Sequence, residues 1–214
     1  MAPRDDPRLI SLDLDDDDLS TSEDEVVPGV PMTVIYDSNK VEIPADFMTT
    51  EPHDARPVTL TVIDWKKTVL PENDQLYAVV LDNVLSQSEC DQLLKLAESS
   101  VPTYLYSKNG TNPWRPALVN VGRGREVLEP DYRNSDRIIW DQQEIVDRLW
   151  ERCLLAPGLR EQLAVMENGS PVLGHMKKGA TIKWEFRRLN KRMRFLKYGA
   201  GQFFRRKRSS PQRC

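Results

Sequence analysis

The sequence predicts an α+β fold, and three observations carry that prediction. β-branched and apolar runs of strand length begin at Val58 and Leu76. Behind Ser86 the apolar period switches from 2 to 3.6, and it does so again behind Asp141. Strand-like composition then returns at Met193. A chain of 214 residues with 39% hydrophobic content and 15 prolines has room for one domain of about 150 residues with unpacked ends.

Residues 1–30 form an acidic leader, with Asp15 to Asp18 consecutive and few large apolar side chains; such a segment cannot offset its ordering entropy and is expected to be disordered. Residues 31–57 alternate short apolar stretches with prolines and read as a peripheral Pro-rich arm with one edge strand. Packing is expected to start near Val58. Val58, Leu60 and Val62 alternate with Thr59 and Thr61, the pattern of a half-buried strand, and Leu76–Leu81 is a continuous apolar run, the pattern of a strand buried on both faces.

Ser86-Gln87-Ser88-Glu89 is a capping box: the Ser oxygen accepts from the amide three residues on while the Glu reaches back. Cys90, Leu93, Leu94 and Ala97 then define one apolar helix face and make Cys90 a core thiol rather than a nucleophile. Residues 101–135, rich in Gly and Pro, form a long connection with short strands at most. Asp141 is the expected cap of a second helix carrying Ile145, Val146, Leu149, Trp150 and Cys153, stopped by Pro157-Gly158, and Leu159–Met166 supplies a short third helix. Met193–Tyr198 reads as a strand, Gly199 and Gly201 as a turn, and Gln202-Phe203-Phe204 as the start of another strand. Residues 205–214 form a basic tail without apolar partners.

Charge is divided along the chain. Residues 1–25 carry ten acids against two arginines, residues 177–214 carry 14 bases against one acid, and the total is -3. No apolar run reaches the ~18 residues of a membrane span, and the acidic N-terminus is the reverse of a signal peptide, so an intracellular location, cytoplasmic or nuclear, is expected with no membrane partner. Asn109-Gly110-Thr111 and Asn168-Gly169-Ser170 are read as chance sequons. Three cysteines without C-x-x-C spacing argue against a disulfide framework or a zinc site. The two histidines, His53 and His175, stand apart and in no ligand or catalytic motif, so both read as loop residues.

Two stretches carry a family resemblance. Leu76–Leu94 resembles the opening strand and helix, and Arg194-Phe195-Leu196-Lys197-Tyr198-Gly199-Ala200-Gly201-Gln202-Phe203-Phe204 the strand pair Y-x-x-G-x-x-(Y/F)-x-x-H-x-D, of prolyl 4-hydroxylase-like, 2-oxoglutarate- and Fe(II)-dependent dioxygenases. Tyr198, Gly201 and Phe204 occupy the first three fixed positions. The resemblance covers roughly residues 70–204 and implies that residues 58–204 are the N-terminal part of a double-stranded β-helix (jelly-roll) oxygenase domain, incomplete at its C-terminus. It further implies Fe(II), 2-oxoglutarate and ascorbate as cofactors of complete relatives, a protein substrate hydroxylated on a prolyl side chain, and a Tyr198 hydroxyl that hydrogen-bonds 2-oxoglutarate. Tyr198 reads equally well as a strand aromatic packed in the core.

The same register puts Lys207 and Ser209 where the family has its iron-binding His and Asp. The expected outcome is a chain with no metal ligands and no catalytic residues of its own, binding no cofactor. The basic tail admits three readings: a nucleic-acid site formed by Arg187, Arg188, Lys191, Arg192, Arg194 and Arg205–Arg208 with Trp184, Phe186, Phe203 and Phe204 for stacking; a nuclear-localisation run; or an out-of-frame segment, which is the favoured reading. The alternative function is a non-catalytic binding protein that uses this basic end on nucleic acid or an acidic partner. The opposite charges of the two ends also predict that Asp13–Glu25 folds back on residues 187–208, in a salt-sensitive way.

Overall fold

The computed structural model describes residues 26–49, 56–106, 111–167, 169–170, 172–173 and 183–205. The acidic leader up to Glu25, His53, His175, Cys214, Lys207, Ser209 and the residues after Arg205 lie outside the described residues. Within them the fold is mixed α+β. Its strands are β1 (Met32–Thr33), β2 (Thr59–Val62), β3 (Val79–Asp82), β4 (Arg115–Pro116), β5 (Val119–Gly122), β6 (Arg125–Val127), β7 (Arg133–Asn134), β8 (Asp136–Asp141), β9 (Val165–Glu167), β10 (Lys183–Glu185), β11 (Arg192–Lys197) and β12 (Phe203–Phe204). The helices are α1 (Gln87–Ser99), α2 (Gln143–Cys153) and α3 (Leu159–Ala164). All the ladders are antiparallel and none closes into a barrel: β11-β8-β4, β1-β6-β5, β2-β3, β10-β9 and β12-β7.

α1 begins as its sequence dictates. The Ser86 hydroxyl accepts from the Glu89 amide at 3.2 Å, and the Glu89 carboxylate accepts from the Ser86 amide at 2.9 Å. Its inner face is rotated from the expected one: Leu93, Leu96 and Ala97 meet the core, and Leu94 is 41% exposed. The buried face also takes in Glu89, to which Arg152 of α2 donates at 2.8 Å. α2 starts one residue later than predicted. Asp141 is the last residue of β8 and both its oxygens are taken by Arg192, so the Gln142 side chain caps by accepting from the Glu144 amide. Gly158, at φ 81°, makes the left-handed entry to α3, a conformation that glycine adopts without Cβ strain.

The main core gathers Trp140, Ile138, Ile145, Ala97, Trp114, Val101, Phe47 and Met48. Phe47 and Met48 correct the expected start of packing at Val58: both lie in the core, with Val41 and Ile43 packed against it. Two arginines of α2 hold this irregular stretch, whose carbonyls have no ladder of their own. Arg148 donates to the Pro44 and Phe47 oxygens at 2.9 and 2.6 Å, and Arg152 donates to the Met48 oxygen at 3.2 Å. The arm's strand falls at Met32–Thr33, on the edge of the β1-β6-β5 sheet.

A smaller cluster joins Val58, Ala156 and Leu159, with Leu60, Leu81 and Trp150 around them. Here the β3 prediction needs correction. Among the described residues β3 pairs only with β2, and its residues alternate between half-buried and exposed, Val80 being 43% exposed. The connection over 101–135 carries short strands as expected. Its β5–β6 hairpin turns at Arg123 and Gly124, both at positive φ, the requirement of a tight type I′ loop.

β11, the turn at Gly199–Gly201 and β12 run antiparallel to β8 and β7, which are joined through Ser135 alone. Tyr198–Gln202 therefore leaves the ladder as a five-residue excursion opposite one buried serine. It is closed by Gln202, whose amide donates to the Gly199 oxygen at 3.1 Å and whose side chain accepts from the Gly199 amide at 2.6 Å.

Candidate functional site: an arginine-lined sheet face beneath the N-terminal arm

Side chains alternate across a strand, and residues opposite in register share a face. On one face of the β11-β8-β4 sheet, Ile138, Trp140, Met193 and Phe195 join the core. The other face carries Arg137, Ile139 and Asp141 from β8, Leu196, Arg194 and Arg192 opposite them on β11, and Arg115 of β4 opposite Arg137. Four arginines on so small a surface repel one another unless acids intervene.

Two of the four are neutralised. Arg137, 8% exposed, donates to the Glu126 carboxylate at 2.7 Å and also to the Tyr36 hydroxyl; that hydroxyl donates in turn to the same Glu126 oxygen. Arg192 makes a two-pronged pair with Asp141, at 2.7 and 3.0 Å. The Arg192 hydrogen bonds hold the Asp141 carboxyl below its ordinary range. The guanidiniums of Arg137 and Arg192 also lie 5.4 and 5.5 Å from the Tyr36 ring centre, within cation–π range. Burial first, and then the hydrogen bond to Glu126, push the Tyr36 phenol well above its ordinary value, against the pull of Arg137 and Arg192.

Tyr36 thus posts the arm onto the sheet, and between them lies a cavity of about 80 Å³ lined by Val34, Ile35, Leu118, Ile139, Arg115 and Arg137 among others. Val26, the first described residue, also lines it. The lining offers apolar contact, the guanidiniums of Arg115 and Arg137, and the carboxylate of Asp37. It offers no nucleophile paired with a base, and among the described residues no three His, Cys, Asp or Glu side chains cluster as a metal site would require.

Tyr198, the residue proposed from the sequence to meet 2-oxoglutarate, stands one residue past β11 and is 44% exposed, which corrects its alternative reading as a core aromatic. Neutral imidazole and carboxylate donors are what an Fe(II) centre of the two-His-one-carboxylate kind needs. Lys207 and Ser209, which the resemblance puts at two of the ligand positions and which lie outside the described residues, carry neither donor and do not fit the iron. Cys90 is partly buried with a free thiol, and burial pushes the free thiol of Cys153 up.

The basic end is less available than its composition suggests. Phe186 stacks on Trp150 at 4.4 Å, Arg205 lies 4.9 Å over Phe203, and Phe204 is held between the edge of Tyr132 and Arg133. Lys183 and Arg187 share Glu185, and Lys197 lies over Trp114. Of the four proposed stacking aromatics, Trp184 is both largely exposed and without a ring partner among the described residues.

Sequence reasoning missed the Tyr36–Glu126–Arg137 network and Arg115. The available signal was Arg137 followed by Ile138-Ile139-Trp140 between two aspartates: read as a strand, that run would have placed Arg137 and Ile139 on one face. No helix among the described residues is long and apolar enough to cross a membrane. No protein-family model matches the chain, and neither a curated protein nor a solved structure matches it.

Proposed function

We propose that residues 58–204 are the front part of a 2-oxoglutarate- and Fe(II)-dependent dioxygenase domain of the prolyl 4-hydroxylase-like type, a double-stranded β-helix represented by its first strands, and that this chain binds no iron. The supporting observation is the course of the Tyr198-to-Phe204 motif. Tyr198 follows β11, Gly201 takes φ 78° in the turn, and Phe204 ends β12, so the three matched positions mark the corners of one strand–turn–strand unit. In complete relatives the iron and 2-oxoglutarate couple oxidative decarboxylation to hydroxylation of a prolyl side chain. In this chain Tyr198 keeps a hydroxyl available for a carboxylate, while Lys207, a cation at neutral pH, stands where a neutral imidazole is needed.

Two measurements test the two halves of the proposal. Anaerobic titration with Fe(II) and 2-oxoglutarate is expected to give no charge-transfer absorption; a band would overturn the claim that the chain binds no iron. The genomic nucleotide sequence beyond the Phe204 codon is expected to continue, in another frame or exon, into H-x-D and a distant second His followed by Arg or Lys. A continuation without those residues would overturn the family assignment and favour a non-catalytic binding protein. For that second reading, exposed Trp184 next to Lys183 is the specific support, and salt-dependent retention of single-stranded DNA that is lost in Trp184→Ala is its test.

A further inference from the structure

Of the four arginines on the outer face of the β11-β8-β4 sheet, Arg137 and Arg192 are paired with acids, and Arg115 and Arg194 make no ion pair among the described residues, although Asp37 lines the cavity with Arg115 and Arg194 lies within the electrostatic reach of Asp141. Arg115 is half-buried at the cavity beneath the arm, and Arg194 is exposed. Val26 lines the same cavity, and the three residues before it are Glu23, Asp24 and Glu25, followed further back by the Asp15 to Asp18 run. Ten acids against two arginines therefore precede the first described residue, at the rim of a face on which two guanidiniums have no ion-pair partner among the described residues.

We propose that this face is the docking site of the chain's own acidic leader, Asp13–Glu25, whose carboxylates pair with Arg115 and Arg194. The reach is sufficient. Outer strands of a three-stranded sheet lie about 10 Å apart, and a chain advances about 3.3 Å per residue, so three or four residues span from β4 to β11. The target differs from residues 187–208 as a whole, because Arg187, Arg192 and Arg205 already have Glu185, Asp141 and the Phe203 ring. The contact would mask a cationic surface until a competing anion displaces the leader, and it does not depend on the oxygenase reading.

Arginine modification by phenylglyoxal, mapped by peptide mass spectrometry on the full chain, tests this. Wild type is compared at low salt with a variant in which Asp15, Asp16, Asp17 and Asp18 become Asn, Glu23 and Glu25 become Gln, and Asp24 becomes Asn. Arg115 and Arg194 are expected to react about twofold to fivefold faster in the variant, the range of exposed ion pairs. High salt is expected to bring wild type to the variant's rates. Arg123 at the hairpin tip and the buried Arg137 are internal standards that should not change. Equal rates in both proteins overturn the proposal, as does acceleration confined to Arg187, Arg188 and Arg205–Arg208.

Discussion

β8 and β3 are both short apolar runs between acidic or polar residues, yet one is the most buried strand of the molecule and the other is half-exposed. β8 has β11 along its whole length, β4 beside Asp136 and Arg137 on its other edge and α1 against one face; Val79-Val80-Leu81 has β2 as its one strand partner among the described residues, with Leu81 against the smaller cluster. Composition is thus a poor guide to burial, and the number of neighbours an element acquires decides it. The largest expected effect follows from that contrast. Trp140→Ala, at a side chain 2% exposed, should cost about 4 kcal/mol in chemical denaturation through lost burial and the cavity left behind. Val80→Ala should cost under about 0.5 kcal/mol. Similar costs at the two sites would mean that β3 has a cover it does not show.

The next effect concerns the joint between the two regions. Glu89 is the third residue of the α1 capping box and also the buried partner of Arg152 on α2. Glu89→Ala should cost about 3 kcal/mol because it removes a carboxylate partner from a buried guanidinium. Ser86→Ala removes only the half-buried hydroxyl side of the same box and should cost about 1 kcal/mol. If the two variants unfold at the same denaturant concentration, the Glu89–Arg152 pair contributes nothing beyond the cap.

Smaller effects belong to pH. The Asp141 carboxyl is held below its ordinary range, so its contribution is present above the unfolded value and is lost as pH falls through the lower, folded value; Asp141→Asn should flatten the acid limb of a stability profile. Tyr36 has the opposite sign. Its folded value is raised, so its contribution is complete below the ordinary tyrosine range and is lost as pH climbs above it, and Tyr36→Phe should flatten the alkaline limb. Unchanged limbs in these variants would remove the two pairs from the account of the arm's attachment.

Local signals in the sequence located α1 with its capping box, α2 to within one residue, α3, the β11–turn–β12 unit and the shortness of the strands between residues 101 and 135, because caps, periods and glycine turns act over a few residues. The candidate site was not legible in the same way. Arg137 gains its meaning from Glu126 on a separate hairpin and Tyr36 on the arm, about a hundred residues earlier, and Phe47 and Met48 become core only because α2 presents Arg148 and Arg152 to their carbonyls. The sequence by itself determined the α+β class, the capping box that opens α1 and the separation of charge between the ends. Tertiary structure alone decided which apolar run lies at the centre, which helix face turns inward and which arginines pair with acids, since burial and charge pairing depend on neighbours that sequence distance does not reveal.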